Sequence, residues 1–235
     1  MLVNALRNGF STETLIQLLL FIPIILISLT VHEYSHGYAA YKCGDMTARN
    51  FGRLTLNPLK HLDPIGTVMM LVFGFGYAKP VPINPRNFNK PRRDICIVSL
   101  AGPGSNLVLA FCALAIYRFI NFILFRVIGI DIFVLNQFAA QFYSLWMIFT
   151  LNFVYANLGL AVFNLIPIPP LDGSRLLSVI LPQKIAYTLA RYEQYIMIAV
   201  LFLLYFGALD NVIYFFRNGL LSLFNSFLSL FPIFM

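Results

Sequence analysis

Two histidines and a glutamate, His32, Glu33 and His36, stand together in a run of the chain that is otherwise almost wholly apolar. From Leu15 to Thr30 the residues read LIQLLLFIPIILISLT. On a helix, positions four apart share a face, so the two imidazoles point the same way. Two imidazoles on one face are half of a zinc site. A glutamate beside the first is the usual general base of metal-assisted hydrolysis. Such a glutamate near the middle of a membrane-type helix costs on the order of 2.5–3.5 kcal/mol to insert. The bland alternative is a chance H-E-x-x-H with satisfied core histidines. It leaves three ionisable groups in an apolar helix without a common explanation.

A hydrolytic zinc centre needs three protein ligands and one open position. Acidic residues embedded in apolar sequence are few, and Asp172 is the best of them. It follows Pro167, Pro169 and Pro170, which cannot continue a regular helix. An unwound segment presents a carboxylate where a continuous helix could not. The competing reading of Asp172-Gly173 is a plain turn. His61 and Asp63, in a loop close in sequence to the first helix, are second choices, His61 also as a support behind the ligands. In the stretch Ala101-Gly102-Pro103-Gly104-Ser105-Asn106, small residues suit close helix packing. Asn106 is the one residue there able to hydrogen-bond something functional.

The elements that must position these groups are membrane segments. Of 235 residues, 60% are hydrophobic and 11% charged, where soluble domains carry about 25% charge. The composition predicts an all-α, multi-pass integral membrane protein with about 4–6 transmembrane helices and a re-entrant or short β-strand element near the site. A single domain is expected over residues 1–235, with a core at about 14–192 and additional membrane segments in 193–235. No soluble module of ~100 residues fits beside them. The net charge of +7 lies largely in short loops, where basic residues set orientation, so no nucleic-acid partner is implied. Cys43, Cys96 and Cys112 show no C-x-x-C pattern, which argues against a disulfide framework and against a thiolate zinc site.

In order, a short polar lead over residues 1–13 lacks the marks of a cleavable signal peptide. Ser11 or Thr12, with Glu13, starts a first helix that runs to about Tyr41. It contains Pro23, and Gly37 offers a small surface for packing. Residues 42–64 are a basic, turn-rich loop in which Arg53-Leu54-Thr55-Leu56 alternates as a short strand would. The apolar run Ile65 to Tyr77 is too short to span. Basic stretches flank it on both sides, so the positive-inside rule puts both ends on the cytoplasmic side and makes the run re-entrant or interfacial. A span follows from Asp94 to Tyr117. Residues 118–138, with Arg118, Arg126 and Asp131, read as an interfacial connection. A further span over about 140–165 carries Asn152, Asn157 and Asn164, an amide load that belongs towards a bundle interior.

The pair of motifs His32-Glu33-x-x-His36 and Asn164-x-x-Pro167-x-x-x-Leu171-Asp172-Gly173 resembles the site-2 protease family of intramembrane zinc metalloproteases. The resemblance extends through Gly52-Arg53-Leu54-Thr55-Leu56-Asn57-Pro58 with His61 and Asp63-Pro64. It continues in Lys79-Pro80-Val81-Pro82-Ile83-Asn84-Pro85 and Ala101-Gly102-Pro103, as in the short branch without a PDZ domain. It covers roughly residues 20–180 and implies one Zn2+ per chain bound by His32, His36 and Asp172. It also implies Glu33 as the base, and Asn164 as the residue that stabilises an oxyanion or holds substrate backbone. The implied partners are a transmembrane protein or peptide substrate and the lipid bilayer. The basic loops turn the site to the cytoplasmic side. A helical substrate must unwind before cleavage, and the extended pieces Arg53–Leu56 and Pro80–Asn84, with Val81 and Ile83, suit strand addition. Many members carry a transmembrane helix ahead of the H-E-x-x-H helix. Here only a short polar lead precedes it, so their substrate gate does not transfer by position. The runner-up reading is a metal-ion or proton transporter that uses the His/Asp cluster as a path. A catalytically dead binding protein ranks third.

Overall fold

The computed structural model describes residues 12–73, 76–127, 129 and 137–234. Residues 1–11 of the polar lead expected over 1–13, and Asp131, lie outside the described residues. Helix α1 spans Thr12–Lys42 and runs through Pro23. It stops at Gly44, whose φ of 105° suits glycine. There the Asp45 N–H donates to the Ala40 carbonyl and the Gly44 N–H to that of Tyr41. That double closure satisfies carbonyls the helix end would leave bare.

Helix α2 spans Pro64–Phe73, and Asp63 caps it by accepting from the Ile65 and Gly66 N–H groups. The chain then doubles back. The Tyr77 carbonyl lies against Gly66, and Gly76 lies against Met70. The two glycines permit this approach, since a Cβ at either would run into backbone. The short apolar run thus returns to the end from which it started.

Helix α3 spans Pro91–Asn121 and continues as a π-helical turn through Val127. Helix α4 spans Gln137–Leu165. The proline run unwinds the chain beyond it until α5 begins at Asp172 and continues to Ile180. Helices α6 (Gln183–Arg191), α7 (Glu193–Tyr205) and α8 (Asp210–Leu228) complete the order. Helix α3 is central and packs on α1, α4 and α5, while α8 packs on α4. A buried cluster of Ala110, Leu114, Val154, Leu158 and Leu228 joins α3, α4 and α8.

All regular elements among the described residues are helical. Among the described residues, three helical stretches are long and apolar enough to cross a membrane: Leu15–Lys42, Pro91–Val127 and Gln137–Leu165. The α7–α8 pair, bent by 79°, meets the same combined test of length and apolarity only when the two helices are taken together as one broken span. The expected short strand at Arg53–Leu56 is instead irregular, with a bend at Leu54 and Thr55. Its would-be ladder groups are spent otherwise. The Thr55 carbonyl accepts from His61 Nε2, and the Lys79 carbonyl accepts from the Arg53 guanidinium.

Asp45, fully buried just past α1, fastens the 84–89 loop. It accepts from the Asn84 N–H at 2.7 Å and from Asn87 Nδ2 at 2.8 Å. Burial alone would raise its pKa; hydrogen bonds from Thr47, Asn84 and Asn87 outweigh that and hold it below the usual carboxylate range.

Candidate metal centre

His32 and His36 lie one turn apart on α1, as their spacing dictates, and both are buried. Their Nε2 atoms are 3.1 Å apart. Asp172, the first residue of α5, brings Oδ2 to 3.2 Å from His32 Nε2 and 3.1 Å from His36 Nε2. The proline break therefore does what the sequence suggests. It ends α4 and lets a new helix begin with its carboxylate against α1. Gly173 makes the docking close, because a Cβ there would sit 2.6 Å from the Ile166 carbonyl oxygen.

The far nitrogen of each ring fixes its tautomer. His36 Nδ1–H donates to the Val98 carbonyl at 2.7 Å. His32 Nδ1–H donates to Asn106 Oδ1 at 2.6 Å. Asn106 is oriented in turn, since its Nδ2 donates to Asn157 Oδ1 at 2.7 Å and towards the Ser28 carbonyl. Asn157 donates to Ser28 Oγ and to the Phe153 carbonyl. Ser28, Asn106 and Asn157 are all fully buried, so this chain of amides ties α1, α3 and α4 together behind His32.

With both Nδ1 atoms protonated, the neutral rings present bare Nε2 lone pairs. Asp172 adds a third acceptor. Three acceptors 3.1–3.2 Å apart repel one another unless a cation lies between them. Tetrahedral zinc with bonds of about 2.0–2.1 Å sets its ligand atoms about 3.3–3.4 Å apart, so the donor set fits. Gly102 supplies the space. A Cβ there would lie 2.6 Å from His32 Cε1 and against His36 Nε2.

Glu33 is held differently. Its Oε2 accepts the Val81 N–H at 2.9 Å, and Val81 is buried. Ile83 is half-buried. His61 stands apart from the three acceptors, with its Nε2 on the Thr55 carbonyl at 2.8 Å. Asn164 turns its amide to the Leu160 carbonyl of its own helix at 3.0 Å. Asn106 is a partner of His32 and not a free amide. Asn157, Ser28 and Gly102 escaped the sequence reading as site residues. The signal for Asn157 is its amide in an apolar span; Gly102 gives only a packing signal.

Replacing Asn106 with leucine leaves the His32 Nδ1–H unpaired in a dry core. Zinc affinity is expected to fall about 10- to 100-fold, as for other groups that orient a ligand. Competition against a chelator of known affinity measures it.

The profile of Peptidase family M50 matches residues 20–207. YwhC of Bacillus subtilis (strain 168), by its name a zinc metalloprotease, is 43% identical over 189 residues, which is 78% of this chain and 80% of YwhC. Rip2 of Mycolicibacterium smegmatis (strain ATCC 700084 / mc(2)155), also named as a zinc metalloprotease, is 32% identical over 191 residues, 79% of this chain and 66% of Rip2. Rip2 of Mycobacterium tuberculosis (strain ATCC 25618 / H37Rv) is 31% identical over 184 residues, 76% of this chain and 63% of its own length. No solved structure matches the chain. With the family profile running from the first third of α1 past the end of α7, the chain belongs to peptidase family M50, the site-2 protease family, and is a zinc metalloprotease.

Proposed function

We propose that this chain is an intramembrane protease that hydrolyses peptide bonds in or near transmembrane segments of membrane-protein substrates. The observation that carries this is the convergence of His32, His36 and Asp172 beside Glu33 within an apolar helical bundle. The three would hold one zinc ion per chain, leaving a fourth position for water. The ion supplies Lewis acidity and brings the pKa of a water towards about 7. Glu33, steadied at Oε2, takes a proton from the attacking water at Oε1 and returns it to the leaving amine.

The basic residues of segments 42–64 and 79–93 support a site that faces the cytoplasmic side, by the positive-inside rule. The α2 hairpin, with both ends at that border, is a re-entrant element. With the bent α7–α8 pair taken as one broken span, the three long helices and that pair would give four crossings. The substrate strand would add beside residues 82–84. Among the described residues nothing pairs with the Ile83 N–H, whereas that of Val81 is already spent on Glu33.

Glu33→Gln is the test. The variant should keep its zinc and lose about 10²–10⁴-fold in cleavage of a single-span substrate in proteoliposomes. Zinc flux that survives Glu33→Gln, with no cleavage by the parent chain, would sink the protease and favour transport.

A further inference from the structure

We propose that Arg53 is a positioning residue for the general base, acting on Glu33 through the backbone at Lys79–Val81. This rests on the reading of Glu33 as the base. The Val81 N–H meets Glu33 Oε2 at 2.9 Å. Pro80 and Pro82 flank Val81 and have no N–H, so residues 80–82 carry one backbone donor, and it is aimed at Glu33. That donor is only as well placed as the segment that bears it.

Arg53 holds the segment from one side. Its Nη2 donates to the Lys79 carbonyl at 2.8 Å and the Pro80 carbonyl at 3.3 Å. The Lys79 N–H donates to the His61 carbonyl at 2.9 Å. Asp45 holds the other side through the Asn84 N–H and Asn87 Nδ2. Between these fastenings the Val81 side chain is seated against α1 at Gly37, one turn beyond Glu33. A Cβ on Gly37 would lie 3.2 Å from Val81 Cγ1, 3.4 Å from Ala48 Cβ and 3.5 Å from Leu54 Cδ1. Arg53 itself is anchored next to that seat, its N–H donating to the Ala48 carbonyl. One guanidinium nitrogen, Nη2, reaches both consecutive carbonyls, on a planar group that holds its donors in fixed directions. Releasing it lets residues 79–81 shift, and a shift of about 1 Å in a reacting group costs up to about 100-fold in rate.

The test uses the full-length, zinc-loaded chain in nanodiscs with a single-span membrane substrate. Zinc per chain, melting temperature, kcat and KM are measured together. Arg53→Ala should keep its zinc, hold KM within about twofold and lose about 10- to 100-fold in kcat. Arg53→Lys should fall between the two, and guanidinium added to Arg53→Ala should restore part of kcat. In a Val81→Pro background, Arg53→Ala should cost nothing further, because both changes act through one N–H. Wild-type kcat in zinc-loaded Arg53→Ala, a loss confined to KM, or additive losses with Val81→Pro would each overturn positioning by Arg53. Loss of zinc in both Arg53→Ala and Arg53→Lys would mark a purely structural role and overturn it too. Full turnover by Glu33→Gln, in contrast, would remove Glu33 as the base. An inactive Glu33→Gln beside a fully active Arg53→Ala would remove only the role of Arg53.

Discussion

Replacing Gly102 with alanine is expected to strip the chain of zinc and to drop peptide-bond hydrolysis to background. A Cβ at this position would stand 2.6 Å from His32 Cε1 and 2.7 Å from His32 Nε2, and against His36 Nε2 as well. The rings have no room to withdraw. His36 is tethered through Nδ1 to the Val98 carbonyl, and His32 to an asparagine that is itself bonded on both sides. Structural zinc sites bind with about 10–16 kcal/mol across four ligands, so displacing two forfeits about 5–8 kcal/mol, roughly 10⁴-fold or more in affinity. Helix propensity runs the other way, since alanine is favoured over glycine by about 1 kcal/mol in a helix interior. The expected signature is therefore an empty site in a chain of unchanged helicity. Metal analysis after dialysis, paired with circular dichroism, reads both. A Gly102→Ala chain that holds one zinc and cleaves normally would mean that the rings stand elsewhere.

How legible was such a site beforehand? The facing of His32 and His36 was readable because helical periodicity alone puts the two imidazoles on one face. Asp172 was readable for a different reason. Three prolines in four positions must break α4, and a charge just past a break inside apolar sequence has few other uses. The doubling back of the chain around α2 was also foreshadowed, by a run too short to span with basic residues on both flanks. What the sequence left hidden depends on distances between elements far apart in the chain. Gly102 sits 70 residues from His32, and no local pattern distinguishes a glycine that admits a helix from one that admits a pair of ligands. Asn106 and Asn157 were conspicuous as polar groups, yet their order in a chain leading to His32 follows only from the packing of α1, α3 and α4. The short strand failed for a physical reason. Alternation predicts which faces a strand would show, but a strand needs a partner. Here the carbonyls of Thr55 and Lys79 have side-chain donors instead.

Asp172→Ala and Gly173→Ala are expected to fail alike at low zinc, for reasons that a metal titration separates. Asp172 reaches the histidines only because α5 starts hard against the unwound end of α4. Leu171 precedes the helix in extended conformation, and Ser174 bonds back to the Leu171 carbonyl through both its N–H and its hydroxyl. A Cβ on Gly173 would collide with the carbonyls of Leu165 and Ile166. These are backbone atoms, which cannot turn aside as a side chain can. The start of α5 must lift, and the carboxylate lifts with it. Loss of one ligand from a site of about 10–16 kcal/mol costs about 2.5–4 kcal/mol, or roughly 100- to 1000-fold in zinc affinity. Turnover at trace zinc should then vanish in both variants. Gly173→Ala still owns its carboxylate, so excess zinc should draw the helix back and restore part of the activity. Asp172→Ala has nothing to draw back, and should stay inactive at any zinc concentration the protein tolerates. If Gly173→Ala instead bound zinc as tightly as the parent chain, close docking of α5 on the carbonyls of α4 would not be what delivers the third ligand. The proline break would then act by direction alone.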